Sequence, residues 1–207
     1  MIRMLAIAPL VLALLVPRAL AQEAPDALVK RVAEDTLATI RADKDIQAGS
    51  YTKIRQVMET KLVPNFDFPR MTALAMGRSW RSATPEQQKQ LTDEFRTLLV
   101  RTYSGALANY RDNTVDYKPL RMNPGDTEVT VRTEVKRPGQ APVQIDYSME
   151  NTADGWKAYD VIVAGVSLVT TYRDEFNDTV KSSGIDGLIK VLENKNRGPA
   201  PAPPAAK

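Results

Sequence analysis

Neither cysteine nor histidine occurs among the 207 residues. Without cysteine there are no disulfides, no thiol nucleophile and no zinc–thiolate or iron–sulfur site. Without histidine the commonest metal ligand is missing, and so is the side chain that titrates nearest neutral pH. A Ser-His-Asp triad and a His general base are both excluded, so an enzyme would have to work with Asp, Glu, Lys, Tyr and Ser. Glycines occur singly, and no GxGxxG or P-loop pattern marks a nucleotide site. Lys and Arg never run beyond two in a row and are not interleaved with aromatics, so no nucleic-acid surface is indicated.

Net charge is also scarce. The chain carries 28 Lys and Arg against 25 Asp and Glu, and two of the basic residues, Arg3 and Arg18, fall in a leader-like start. Arg3 opens a short basic segment, Leu5 to Val16 is a run of small and aliphatic residues, and Ala19-Leu20-Ala21 has the small-x-small form of a cleavage site. Basic, apolar, small is the order of a secretory signal peptide, here residues 1–21. The apolar run falls short of the ~20 residues of a spanning helix. The expected product is an exported, nearly uncharged chain starting at Gln22. Its lack of cysteine suits a bacterial periplasm, where folding then does not depend on an oxidising system. Residues 22–197 have the size of one domain, which buries about 70% of its unfolded surface and has room for a core and a cavity. Residues 198–207 form a Pro/Ala-rich tail expected to be extended or disordered.

After the leader the pattern is helical. Val29, Val32, Leu37 and Ile40 recur at helical spacing. A second helix is expected after Ser50, with Ile54, Val57, Met58 and Leu62 on one face, and a third from Asp67 to Gly77. Thr84-Pro85-Glu86-Gln87 is the clearest start signal: a hydroxyl cap, proline at the first helical position, and an amide placed to reach back. The stripe Leu91, Phe95, Leu98, Leu99, Thr102, Tyr103, Ala106, Leu107 and Tyr110 continues it. From Asn113 the period becomes two, predicting strands over 114–121, 127–136, 142–151 and 156–163, joined by turn chemistry into a meander. The helical period resumes at Val166 through Val169, Tyr172, Phe176 and Val180, and a final helix carries Ile185, Leu188, Ile189 and Leu192. The fold class is therefore α+β, a strongly twisted antiparallel four-stranded sheet cupped by several helices.

Few residues carry chemistry. Asp174-Glu175 reads as solvated helix surface. Asp160 stands in an otherwise apolar strand, where an unpaired carboxylate is costly, and is expected to pair with an Arg or cap a helix. What remains is a surplus of large apolar side chains, with Met71, Met76, Met122 and Met149 adding deformable surface. Patterning alone does not separate a filled core from a cavity.

The segment Trp156-Lys157-Ala158-Tyr159-Asp160-Val161-Ile162-Val163-Ala164-Gly165-Val166-Ser167-Leu168-Val169 resembles the W-x-x-Y-D-x-x-x-x-G-V-S-L-V signature of the MlaC family, also known as toluene-tolerance auxiliary proteins. Gly184-Ile185-Asp186-Gly187-Leu188 agrees as well. So do Leu62-Val63-Pro64-Asn65-Phe66-Asp67, Gly77 to Trp80, Ser82 to Gln87 and Phe95 to Tyr103. The resemblance spans roughly residues 26–195 and departs at Ala164, where an acid is common, and in the tail.

The resemblance implies a periplasmic phospholipid carrier, with phospholipid as cargo and no cofactor or metal. Its implied partners are the outer-membrane lipoprotein MlaA beside a porin and an inner-membrane ABC transporter presenting MlaD. The carrier is expected to be a monomer. It also implies an acyl-chain cavity between sheet and helices. Moving a CH₂ from lipid to water costs about 0.8 kcal/mol, so two chains of ~16 carbons cost on the order of 25 kcal/mol, and a carrier must replace that burial without covalent chemistry. Val143, Ile145 and Tyr147 on one strand and Val161 and Val163 on the next are expected to line the cavity, with Met71, Leu74, Leu98, Leu99 and Tyr103 closing it from the helices. Val166 and Val169 are expected at its entrance. A carrier of a hopanoid or other polyprenoid is the alternative. A more remote one is an enzyme using a buried acid such as Asp160.

Overall fold

The computed structural model describes residues 22–108 and 112–199; the expected leader and residues 200–207 of the tail lie outside them. Helix α1 (Pro25–Ala42) starts with proline at its first turn and buries Leu28, Val29, Thr36 and Ile40 on the apolar stripe. A one-turn helix α2 (Lys44–Gln47) follows, unheralded by periodicity. It forms because the Asp43 carboxylate accepts the N–H groups of Asp45 (2.9 Å) and Ile46 (3.1 Å). Helix α3 (Tyr51–Val57) widens into a π-turn at Met58–Leu62, and its Ser50 hydroxyl makes no cap bond.

Helix α4 (Phe68–Met76) is capped by Asp67, which accepts the Arg70 N–H at 2.8 Å, and stops at Gly77, whose φ is +57°. A 3₁₀ turn (Gly77–Ser82) leads to α5 (Pro85–Ala108), where the predicted reciprocal cap is present. The Gln87 N–H donates to Thr84 Oγ1 at 3.2 Å and the Thr84 N–H to Gln87 Oε1 at 3.0 Å.

Strands β1 (Thr114–Tyr117), β2 (Glu128–Lys136), β3 (Val143–Thr152), β4 (Gly155–Val163) and β5 (Val166–Ser167) form one antiparallel sheet in sequence order. Register puts Val131 opposite Tyr147, Val135 opposite Val143, and Ile145 and Tyr147 opposite Val163 and Val161. A bulge on β4 beside Ser148/Met149 shifts the alternation by one. Trp156 and Ala158 therefore share the apolar face with Val161 and Val163, which explains why β4 reads as apolar on both sides.

Val166 does not begin a helix, as its spacing predicts; it pairs back with Val163 as a fifth strand. The two-residue turn between them places Ala164 at φ +50° and Gly165 at φ +84°, the positive pair of a type I′ hairpin. Helix α6 (Arg173–Arg197) begins only after a 3₁₀ turn (Thr170–Tyr172) and is interrupted at Gly184 (φ 71°, ψ −178°), a conformation essentially confined to glycine. The interruption separates the two helical runs seen in the sequence and lets Asp186 accept the Gln87 side-chain amide at 2.6 Å.

Ala164 is the described residue that carries a side chain at positive φ, and the position departs from the acid common in resembling sequences. Asp and Asn tolerate the left-handed region by bonding locally, whereas alanine is strained there. Ala164→Asn is expected to raise stability by about 0.5–1 kcal/mol, read as a higher denaturant midpoint at unchanged slope.

Apolar side chains gather in three groups rather than one. The helical group joins Met71, Met76, Leu91, Phe95, Leu98, Phe176, Leu188 and their neighbours, with Phe95 meeting Tyr172 and Phe176 edge-on at 5.2 and 5.1 Å between ring centres. A second joins α1 to the sheet through Leu28, Val29, Val129, Val131, Met149 and Trp156. The third clips α1, α2 and α3 together through Ile40, Ile46, Ile54 and Val57. No helix among the described residues is long and apolar enough to cross a membrane.

Candidate functional site

The twelve cavity residues expected from the sequence fall into two sets. Val143, Ile145, Tyr147, Val161, Val163 and Val166 lie on one face of β3, β4 and β5 and are joined by register: Tyr147 opposite Val161, Ile145 opposite Val163, and Val163 opposite Val166. They form a continuous apolar patch. Ile145 is buried, and the other five are only half-buried. The second set belongs to the helical group: Met71, Leu98, Leu99 and Val169 are buried in it, with Leu74 and Tyr103 partly exposed against it.

Val169 corrects one expectation. It is fully buried among the helical residues, so it lines no entrance, whereas Val166 sits half-buried at the rim of the sheet patch. Three residues apart in sequence, the two valines occupy different environments because β5 ends between them.

A single domain normally packs one contiguous core with small satellites. Here, among the described residues, the helical and sheet groups remain separate, and partly exposed Phe66 touches both. A half-exposed apolar patch of six residues on a sheet face is costly at about 25 cal/mol per Å², unless something apolar covers it. Tyr103 brings a polar group to the helical side. Burial and its hydroxyl contact with Tyr172 push its pKa up, so it stays neutral.

Asp160 is structural in its contacts. Its Oδ1 accepts the N–H groups of Val161 (2.8 Å) and Val169 (3.4 Å), and its Oδ2 accepts the Ser167 hydroxyl (2.6 Å). Ser167 Oγ in turn accepts the Thr170 N–H at 2.9 Å. The carboxylate thus caps the turn into α6, as the cap reading expects, with Arg173 contributing only through its charge. Burial raises the Asp160 pKa, and those hydrogen bonds work against the rise.

Two open clefts lie elsewhere and take in none of the twelve residues. One, of about 660 Å³, is lined by Lys118, Arg121, Glu128, Arg132 and Tyr159 among others. Beside it the Arg70 guanidinium lies 3.6 Å from the Tyr159 ring centre, pairs with Glu128 at 2.8 Å and also meets Glu150, tying α4 to β2 and β3. The guanidinium holds the Glu128 carboxyl below its usual pKa. The other cleft, of about 710 Å³, is lined by Gly77, Arg78, Ser79, Arg81, Arg173, Asn177 and Lys181. Arg78 and Arg81 are noticeable in the sequence only as scattered basic residues. Their shared side follows from the 3₁₀ turn, in which positions three apart eclipse, and Arg173 and Lys181 join them from α6.

The family model described as MlaC protein matches residues 30–194. The toluene tolerance protein ttg2D of Pseudomonas putida is 26% identical over 174 residues, covering 84% of this chain and 80% of that protein. The intermembrane phospholipid transport system binding protein MlaC of Haemophilus influenzae is 23% identical over 184 residues, covering 87% and 86%. Among solved structures, a phospholipid-binding protein from Ralstonia solanacearum, in complex with a phospholipid, is 46% identical. It superposes with a TM-score of 0.77 over 83% of this chain and 96% of that one.

Proposed function

The chain belongs to the MlaC family, and from that premise we propose that it binds phospholipid and carries it without catalysing a reaction. The observation that carries this reading is the Ralstonia solanacearum relative, which holds a phospholipid on the same fold at 46% identity. The half-buried apolar patch from Val143 to Val166 is the surface on which acyl chains would lie. In the finer reading, the chain is exported to the periplasm after cleavage at Ala21. As a monomer it shuttles phospholipid between the outer-membrane MlaA–porin assembly and the inner-membrane transporter presenting MlaD. The cargo is the only small molecule it needs.

Organic extracts of the purified mature protein, analysed by mass spectrometry, test this. About one phospholipid per chain is the expected result, and the intact mass of the same sample should begin at Gln22. An empty protein, or one carrying a polycyclic lipid, would overturn the phospholipid reading.

A further inference from the structure

The cleft between the 3₁₀ turn after α4 and the start of α6 has a composition the core does not explain. Arg78, Arg81, Arg173 and Lys181 line it with Ser79 and Asn177, and no carboxylate is among its lining residues. Lys181 shares its charge with Asp178 at 3.4 Å. Arg78 and Arg81, both exposed, pair with no carboxylate among the described residues. Like charges gathered in one recess make it attractive to an anion.

Arg173 is fixed on the wall of the cleft. Its Nε and Nη2 donate to the Leu74 carbonyl at 3.2 and 2.9 Å. Of the five guanidinium N–H groups three remain, in a planar fork that matches phosphate oxygens. Gly77 adds open space, since a Cβ there would meet nothing within 4 Å. The chemistry of the lining also selects among anions. An acidic protein partner would need apolar or aromatic anchors at the centre of the contact, and the cleft has none. A flat bilayer would not fill a recess of about 710 Å³.

Leu74 connects this cleft to the chain-binding side. Its carbonyl holds Arg173, while its side chain packs partly exposed against the helical group. We infer that the Arg78–Arg81–Arg173 cleft is a phosphate subsite that receives the phosphate-bearing headgroup of a lipid whose chains enter beside Leu74. This rests on the phospholipid reading above and adds to it a preference for a phosphorylated head.

Delipidated mature protein, titrated calorimetrically in about 50 mM salt, separates the possibilities with dihexanoylphosphatidylglycerol, neutral dihexanoylglycerol and inorganic phosphate. The phosphorylated lipid is expected to bind about tenfold more tightly than the neutral one. In the double variant Arg78→Gln/Arg81→Gln that ratio should fall to about one, with dihexanoylglycerol affinity unchanged. The unchanged affinity also reports an intact fold. Inorganic phosphate should bind far more weakly than the phosphorylated lipid.

Equal affinity of the wild type for the two lipids, or a ratio that survives in the double variant, would overturn the subsite and leave the carrier reading intact. If neither lipid binds, the carrier reading fails and the subsite with it. Inorganic phosphate binding as tightly as the phosphorylated lipid would make the cleft a site for free phosphate. Binding to anionic vesicles that depends on Arg78 and Arg81, without any preference between the soluble lipids, would make it a bilayer contact instead.

Discussion

Val166→Glu is expected to give a folded protein that purifies with at least about tenfold less phospholipid than the wild type. Val166 lies half-buried at the rim of the inner sheet face, opposite Val163, on a two-residue edge strand where a longer side chain has somewhere to go. A glutamate there either keeps its hydration, and takes apolar contact away from the acyl chain, or loses it at a cost of several kcal/mol. Each 1.4 kcal/mol is worth a factor of ten in retention. Val169→Glu is the contrasting case. That side chain is fully buried in the helical group, and an unpaired charge there costs more than about 4 kcal/mol, against a total stability of only about 5–15 kcal/mol. It should destabilise the fold severely and lower the thermal unfolding transition. Phospholipid per chain and the thermal unfolding transition, measured for both variants, check the pair; full lipid retention by a folded Val166→Glu protein would remove Val166 from the binding site.

The contrast between these valines also shows where sequence reading succeeds. Alternation fixed the faces of β2 and β3, because half-buried antiparallel strands repeat strictly every two residues, and Thr84 to Gln87 announced α5 through hydrogen bonds made within four residues. Helix α2 depends on the single Asp43 cap and leaves no periodic trace. Strand β5 was hidden because Val166, Val169 and Tyr172 keep helical spacing while the backbone between them turns back on β4. The β3 members of the sheet patch, Val143, Ile145 and Tyr147, follow from that alternation, whereas Val161 and Val163 on bulged β4 and Val166 on β5 share their face through pairing that alternation does not give. The position of an opening was not legible, because it depends on which elements cover each end of the sheet. The basic cleft was out of reach for the same reason: it unites a 3₁₀ turn with a helix about a hundred residues later, and tertiary packing of α4 and the turn against α6, with the Leu74–Arg173 contact, brings them together.

Asp160→Ala is expected to cost about 3 kcal/mol, and Asp160→Asn about 1 kcal/mol or less. Alanine leaves the N–H groups of Val161 and Val169 and the Ser167 hydroxyl without their acceptor in a buried turn, each loss being worth about 1 kcal/mol or more. Asparagine keeps Oδ1 for the two N–H groups and offers its amide to Ser167 Oγ, so the turn survives. The two variants also differ from the wild type in pH response. Burial raises the Asp160 pKa above its unfolded value. The group's contribution is therefore greatest below the unfolded pKa and is lost as pH rises through the folded one. Acidification from about pH 7 towards pH 4 should raise the stability of the wild type relative to Asp160→Asn, and denaturant midpoints at the two pH values read that difference. Lipid content should stay at the wild-type level in Asp160→Asn, because both carboxylate oxygens are engaged in holding β4 to the turn before α6 and neither is needed as an acid. A loss of lipid in a folded Asp160→Asn protein would instead make the turn from Ser167 to Tyr172 part of the binding site.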